Sequence, residues 1–425
     1  MSNKDDAVTN NISSSDAIAH QSSTGTSLAK GCSPEMLQWT ALMRVIALGT
    51  AAEVQQELST AANLSARDYW ERTPWLLSIH TGDLEKAQIL WTAAIDPSDR
   101  GRCGETALML AIESGNLTML QWLLDQGFDV AEVDDFGHTA LRLAIEQDAV
   151  EFVALLLKAG ADPQQVPDTN TWSNIYVAKS VVVARMLAAA GDDFNEINRS
   201  VRRLLTKVRA DTDQISPEQY RSGKQRRFGL TNPELMSVDF WRSMVCNGIS
   251  AWSARQEFEE SGYADDLIWC FDRFGQSLTE LPDGRIIEIG GEHEDSYDPD
   301  FCIYNDVVVH DGQGNFQIFG YPEAVFPPTD FHTATLVGDH IYIIGSIGYY
   351  PGRAYHQTPV YRLDCRSYQI ESVITTNSPG WIYKHRAEYL ESGVIVITGG
   401  LIENAKESRE NLLEYRLDLA SSSWQ

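Results

Sequence analysis

Cysteine is scarce and never paired closely: Cys32, Cys103, Cys246, Cys270, Cys302 and Cys365 are scattered over 425 residues, with no CxxC. That speaks against a zinc ribbon or a disulfide framework and suits reduced thiols in a cytoplasmic setting. No apolar run approaches the roughly 20 residues of a spanning helix. The best candidate, 177–191, is broken by Lys179 and Arg185. Positive charge is also in short supply, with 33 Lys plus Arg against 60 Asp plus Glu and a formal net charge of -27. A protein that neutralises phosphates carries the opposite balance, so nucleic acid and anionic membrane are poor partners. The first residues, MSNKDDAVTNN, lack the charged-then-apolar form of a secretory signal. No GxSxG, GxxxxGK or GxGxxG occurs, so neither a nucleophile elbow nor a phosphate-cradling loop is present.

What is present is repetition. After a polar tail at 1–32, where 13 of the first 30 residues are Ser, Thr or Asn, Ser33-Pro34-Glu35 has the form of a helix start. Thr40, Thr73, Thr106 and Thr139 then follow at steps of 33, and Gly49, Gly82 and Gly115 keep the same step. The units read TALMRVIALG, TPWLLSIHTG, TALMLAIESG and TALRLAIEQD. Each predicts a short helix, a tight turn, a second helix ended by glycine, and a polar finger. No such pair buries its apolar stripe alone, so the units must stack. Residues 33–198 resemble the ankyrin repeat family, as about five units with a degenerate last one, which implies an α-solenoid that recognises proteins. The family's histidine place holds Met43, Leu76, Met109 and Arg142, so the usual side-chain link between repeats is expected to be lost or replaced by packing.

Residues 199–266 predict a helical connector whose aromatic faces pack on one or both flanking domains. It opens with nine basic and three acidic residues between Arg199 and Arg227, and Phe240, Trp241, Met244 and Val245 mark a helical face ended by Gly248. From 267 to 425 the period becomes two. RIIEIGG, HIYIIGS and VIVITGG end in Gly290, Gly345 and Gly399, spaced by 55 and 54. Gln276, His332 and His385 precede them, and the units close on Phe316, Tyr368 and Trp424. This region resembles kelch repeats, implying three visible blades of a β-propeller. Three are too few for a closed ring, so a hidden blade, packing on the helices, or a homodimer through the incomplete propeller is expected to complete it.

Two kinds of site follow. On the ankyrin-like side, the third finger position holds Leu37, Trp70, Cys103 and Phe136, and the position before each threonine holds Trp39, Arg72, Glu105 and His138. Trp70, Arg72, Phe136 and His138 are the expected partner contacts. On the propeller-like side, loops 321–332, 346–359 and 376–386 offer Tyr350, Trp381 and Arg386 for the same purpose, while His332 and His385 fall on a framework position. The acidic loop after Gly291 holds Glu292, His293, Asp298 and Asp300. Crowded carboxylates either bind a divalent cation or stand as a solvated acidic surface. The leading function is a non-enzymatic protein-interaction scaffold without cofactor. The alternatives are a metal-assisted enzyme around Glu292, His293 and Asp300, and an acidic inhibitor or immunity-type protein that masks a basic partner.

Overall fold

The computed structural model describes residues 33–60, 62–93, 95–167, 172–210, 215–258, 267–293, 301–404 and 406–425. The chain divides into two compact units, Met1–Asp192 and Asp193–Gln425. No helix among the described residues is long and apolar enough to cross a membrane.

The first unit is built of helix pairs: α1 (Ala41–Leu48) with α2 (Ala51–Leu58), α3 (Pro74–His80) with α4 (Leu84–Trp91), and α5 (Ala107–Glu113) with α6 (Leu117–Asp125). Then come α7 (Ala140–Glu146) with α8 (Val150–Lys158), and α9 (Asn174–Val177) with α10 (Val181–Ala189). The threonine of each full unit is an N-cap. Thr40, Thr73, Thr106 and Thr139 accept from the amides of Met43, Leu76, Met109 and Arg142, a contribution of about 1 kcal/mol each. The helix expected to start at Ser33 is instead one isolated turn, with the amide of Trp39 on the carbonyl of Pro34 at 3.0 Å. First helices stack on first helices, α1 on α3, α3 on α5 and α5 on α7, which buries Met43, Ile46, Leu76, Ile79, Met109 and Ile112. Packing replaces the family's histidine at Met43, Leu76 and Met109. At Arg142 a polar link survives in another form. Its buried guanidinium bonds Glu146 at 2.7 Å and reaches the next pair at the Trp172 carbonyl (3.1 Å) and the Asn174 amide oxygen (3.4 Å).

In the second unit, residues 199–258 do not merely connect. They supply α11 (Arg199–Thr206), α12 (Pro217–Gly223), β1 (Glu234–Leu235), α13 (Asp239–Asn247) and α14 (Ala251–Phe258). The first sheet has the order β1-β7-β6-β3-β2, made by β2 (Ser277–Glu280), β3 (Ile286–Ile289), β6 (Val307–His310) and β7 (Phe316–Gly320) with β1 on its outer edge. The short β4 (Glu292–His293) pairs with β5 (Cys302–Ile303) beside it. A second antiparallel meander follows as β8 (Thr333–Val337), β9 (His340–Ile344), β10 (Val360–Asp364) and β11 (Ile370–Ser372). The third combines β13 (Arg386–Leu390), β14 (Val394–Thr398), β17 (Tyr415–Asp418) and β18 (Ser423–Trp424). A small sheet, β12 (Trp381–Tyr383) with β15 (Leu401–Glu403) and β16 (Ser408–Glu410), accompanies it.

The alternation of side chains explains the layers. Ile287, Ile289, Val307 and Val309 of the first sheet meet Ile341, Ile343 and Leu363 of the second. Tyr342, Ile344 and Val360 on the second sheet's other face meet Ile395, Ile397 and Leu417 of the third. The middle sheet is thus covered on both faces, which is why its central strand reads HIYII with almost no polar alternation. The remaining face of the first sheet is covered by the chain's own helices. Trp241 and Met244 pack there with Trp269, Tyr304, Val308 and Ile318, and the indole of Trp241 lies 4.8 Å from that of Trp269. The end at which a second copy was expected to complete the propeller is therefore occupied. The last sheet's free face carries exposed Arg386, Glu388 and Arg416, which suits water rather than another sheet.

Candidate functional site

The fingers of the first unit share one internal design. In the second finger, Asp68 Oδ1 accepts from the amides of Trp70 and Arg72, both at 2.9 Å, and its Oδ2 accepts the Arg72 guanidinium at 2.9 and 3.1 Å. In the fourth, Asp134 Oδ1 accepts from the amides of Phe136 (2.9 Å) and His138 (2.8 Å), with the His138 ring 3.3 Å from Oδ2. Neighbouring fingers are then tied along their backbones. The amides of Tyr69, Arg102 and Asp135 donate to the carbonyls of Leu37, Trp70 and Cys103, while Arg67 and Arg100 each donate to a carbonyl 33 residues on, at 2.8 Å. This design corrects one expected contact. Arg72 is only 7% exposed, because its charge is consumed by Asp68. It holds the finger in shape and offers nothing to a partner. His138 occupies the equivalent place, half-buried, with its ring beside Phe136 at 6.1 Å.

The tips face outward. Trp70 is 46% exposed, Phe136 59% and Trp172 50%. Tyr69 stands edge-on to Trp70 at 5.2 Å, and Arg102 sits over the Tyr69 ring at 5.5 Å. Trp172 stacks on Tyr176 at 4.1 Å. Trp172 escaped sequence reasoning, although it precedes the N-cap Ser173 as Arg72 and His138 precede theirs. The step into that unit is 34 instead of 33, which hides it. Fixed backbones presenting large exposed rings can hold apolar side chains of a protein segment.

In the second unit, the polar residue ahead of each inner strand bonds the preceding layer. His385 Nε2 lies 3.0 Å from Thr333 Oγ1 on β8, and His332 Nε2 lies 2.8 Å from Ser277 Oγ on β2. Gln276 accepts from Arg202 of α11 at 2.6 Å. The same guanidinium reaches the buried Glu288 at 2.7 Å, and Glu288 also pairs with His310 at 2.8 Å. Burial alone would raise the Glu288 carboxyl, but Arg202 and His310 outweigh it and hold it below its ordinary value. Burial pushes both His332 and His385 down to about 3. These histidines are neutral staples between sheets, not ligands. The glycines answer to the same layering: at Gly290 (φ 58°) a Cβ would fall on the Thr329 carbonyl, and at Gly345 (φ 76°) on that of Ile382.

The remaining expected contacts are dispersed. Trp381 is 8% exposed with its indole N–H on the Ile347 carbonyl at 3.1 Å, so it packs inward. Tyr350 is exposed with Arg353 over its ring at 5.5 Å, and Arg386 is exposed on β13. Glu292 and His293 are buried in β4 instead of standing in a solvated loop. Asp298 and Asp300 lie outside the described residues, and among the described residues no three His, Cys, Asp or Glu side chains gather as a cation site. Asp330 lies in the loop ahead of β8. This carboxyl is fully buried, with Oδ1 accepting from Gly348 N (2.7 Å) and Ser346 Oγ (3.0 Å). Burial raises it above the ordinary carboxylate range, against the hydrogen bonds from Gly348, Ser346 and Glu292.

Residues 81–166 match the family model for ankyrin repeats, in three copies. The N-terminal half carries ankyrin repeats. Among solved structures, the chain is similar to the crystal structure of the ankyrin repeat domain of Bcl-3, titled a unique member of the IkappaB protein family. The identity is 24%, over 39% of this chain and 75% of that one, with a TM-score of 0.35. No curated protein matches the sequence. The ankyrin repeats mark the chain as a protein-interaction scaffold.

Proposed function

We propose that this scaffold takes its protein partner on the ankyrin fingers, with Trp70 and Phe136 at the tips and Trp172 ahead of its N-cap as apolar anchors and Tyr69, Arg102 and His138 as further contacts. One observation carries the reading. In each of two fingers an aspartate draws in the side chain of the framework residue, while it holds the aromatic residue two positions earlier only by its backbone amide and leaves that ring in water. Large rings held out by a fixed backbone are the side chains that most often anchor protein interfaces. With a net charge of -27, the chain attracts a basic partner faster than a neutral one. We read the second unit as three kelch-like blades, with α11–α14 in place of a further blade. Two features support this: the four-stranded meanders, and the polar staple repeated ahead of each inner strand. The free thiols Cys103, Cys246, Cys270, Cys302 and Cys365 favour a reducing compartment such as the cytoplasm.

The test is affinity capture from the native lysate with the wild-type chain and with Trp70→Ala/Phe136→Ala. Each anchor is worth about 2 kcal/mol, so the double variant should lose the captured protein by roughly a hundredfold or more. Helical circular dichroism should be unchanged, since neither ring supports the core. Undiminished capture by the double variant would remove the finger tips from the function.

A further inference from the structure

Along the row of finger tips, the exposed rings of Trp70 and Phe136 stand on the second and fourth fingers, and the third carries Cys103 followed by Gly104. Gly104 has a φ of 78°, and a Cβ there would fall 2.5 Å from the Asp135 carboxylate, so the turn between the two rings stays small. The first helices beneath, α3, α5 and α7, stack on one another. At about 8–10 Å per step, two steps put the rings roughly 16–20 Å apart. An extended chain rises about 3.3 Å per residue, so about five or six residues cover that distance.

Charge on these fingers is one-sided. Residues 62–72, 95–105 and 129–138 contain nine carboxylates and four arginines. Three of the arginines are paired within the fingers, Arg67 with Asp99, Arg72 with Asp68 and Arg100 with Glu132. The fourth, Arg102, lies over the Tyr69 ring at 5.5 Å, which shows that a guanidinium settles on a finger ring. Each exposed ring also has an exposed carboxylate next to it in the chain, Glu71 after Trp70 and Asp135 before Phe136. A ring face with a carboxylate beside it suits Arg or Lys, whose stem covers the ring while its charge is attracted by both.

We infer that the fingers bind an extended basic segment of a partner protein, with one Arg or Lys on the Trp70 ring and another about six residues away on that of Phe136. The inference rests on the finger-tip function proposed above and names the chemistry of its partner.

The test uses the full chain and fluorescein-labelled peptides of Gly and Ser that carry two Arg-Arg pairs, read by fluorescence anisotropy. Pairs about six residues apart should bind roughly tenfold tighter than pairs about three apart, whose backbone spans only about 11 Å. Citrulline in place of arginine should abolish binding on the wild-type chain, because it keeps the shape and removes the charge. Glu71→Gln/Asp135→Asn should weaken it roughly tenfold, and Trp70→Ala/Phe136→Ala should remove it, both without lowering the melting temperature. Failure of the arginine peptides to bind, equal binding at both spacings, tighter binding of a Leu-Leu peptide, or binding that survives loss of both rings would each overturn the inference. Lysate capture that depends on Trp70 and Phe136 while no arginine peptide binds would leave the finger-tip function standing and sink only its basic partner.

Discussion

Acidification from pH 7 to 4.5 should remove about 5 kcal/mol of stability from the strand-rich unit through two histidines. Asp330 offsets this in part, because its raised carboxyl takes up its proton earlier in the folded protein. His332 and His385 sit near 3 in the folded protein because burial disfavours their charged form, whereas in an unfolded chain they titrate near 6.5. Above pH 6.5 neither state binds the extra protons, and the stability is fully present. Below it the unfolded chain takes up two protons that the folded protein refuses, so stability falls until about pH 3. Each group contributes on the order of 1 kcal/mol per pH unit, or roughly 2 to 3 kcal/mol each by pH 4.5. That is a large share of the 5–15 kcal/mol of a typical domain. Glu288 acts in a separate window: its lowered value makes its contribution disappear only as pH falls below about 4.5. Urea melts of residues 193–425 between pH 7 and 4.5 give the slope, and His332→Gln/His385→Gln should flatten it. An unchanged slope in the double variant would show that the acid response comes from elsewhere.

Removing the helices should have the second largest effect. A fragment of residues 267–425 should aggregate or dimerise, whereas residues 193–425 should be monomeric and melt cooperatively. Without α11–α14 the first sheet exposes Trp269, Tyr304, Val308 and Ile318, which now pack on Trp241 and Met244. Glu288 would also remain in the sheet without Arg202, and breaking a buried ion pair from one side costs about 3–5 kcal/mol. Loss of β1 bares the outer edge of β7, and with it goes Asn232, whose side chain pairs with both backbone groups of Ile370 on β11 at 2.7 and 2.9 Å. Exposed strand edges pair with other chains. Size-exclusion chromatography with light scattering decides it: a monodisperse, cooperatively melting monomer of 267–425 would show that the helices are dispensable.

The first unit was legible because its physics is local and periodic. A threonine capping an amide three residues away, a glycine ending a helix and an apolar stripe at a step of 33 all lie within one unit, so composition and spacing reveal them. Which finger residue faces outward was only half legible. Trp70 and Phe136 read correctly as exposed rings, but Arg72 looked equally available. Its aspartate stands four residues earlier, inside a turn whose geometry no periodicity describes. His332 and His385 read as framework from their position alone, although the hydroxyls they bond are 55 and 52 residues away.

Sequence alone determined the repeats, the change of period near 267, the short strands that end in glycine, and the excess of negative charge. Tertiary structure decided which surface 199–258 packs on, since Arg202 finds Gln276 and Glu288 at separations of 74 and 86 residues. It also decided that Glu292 and His293 are buried. Burial and the pairing of charge are properties of neighbours brought together from distant parts of the chain. A pattern read along one dimension registers which groups are charged, but not which of them the fold brings together.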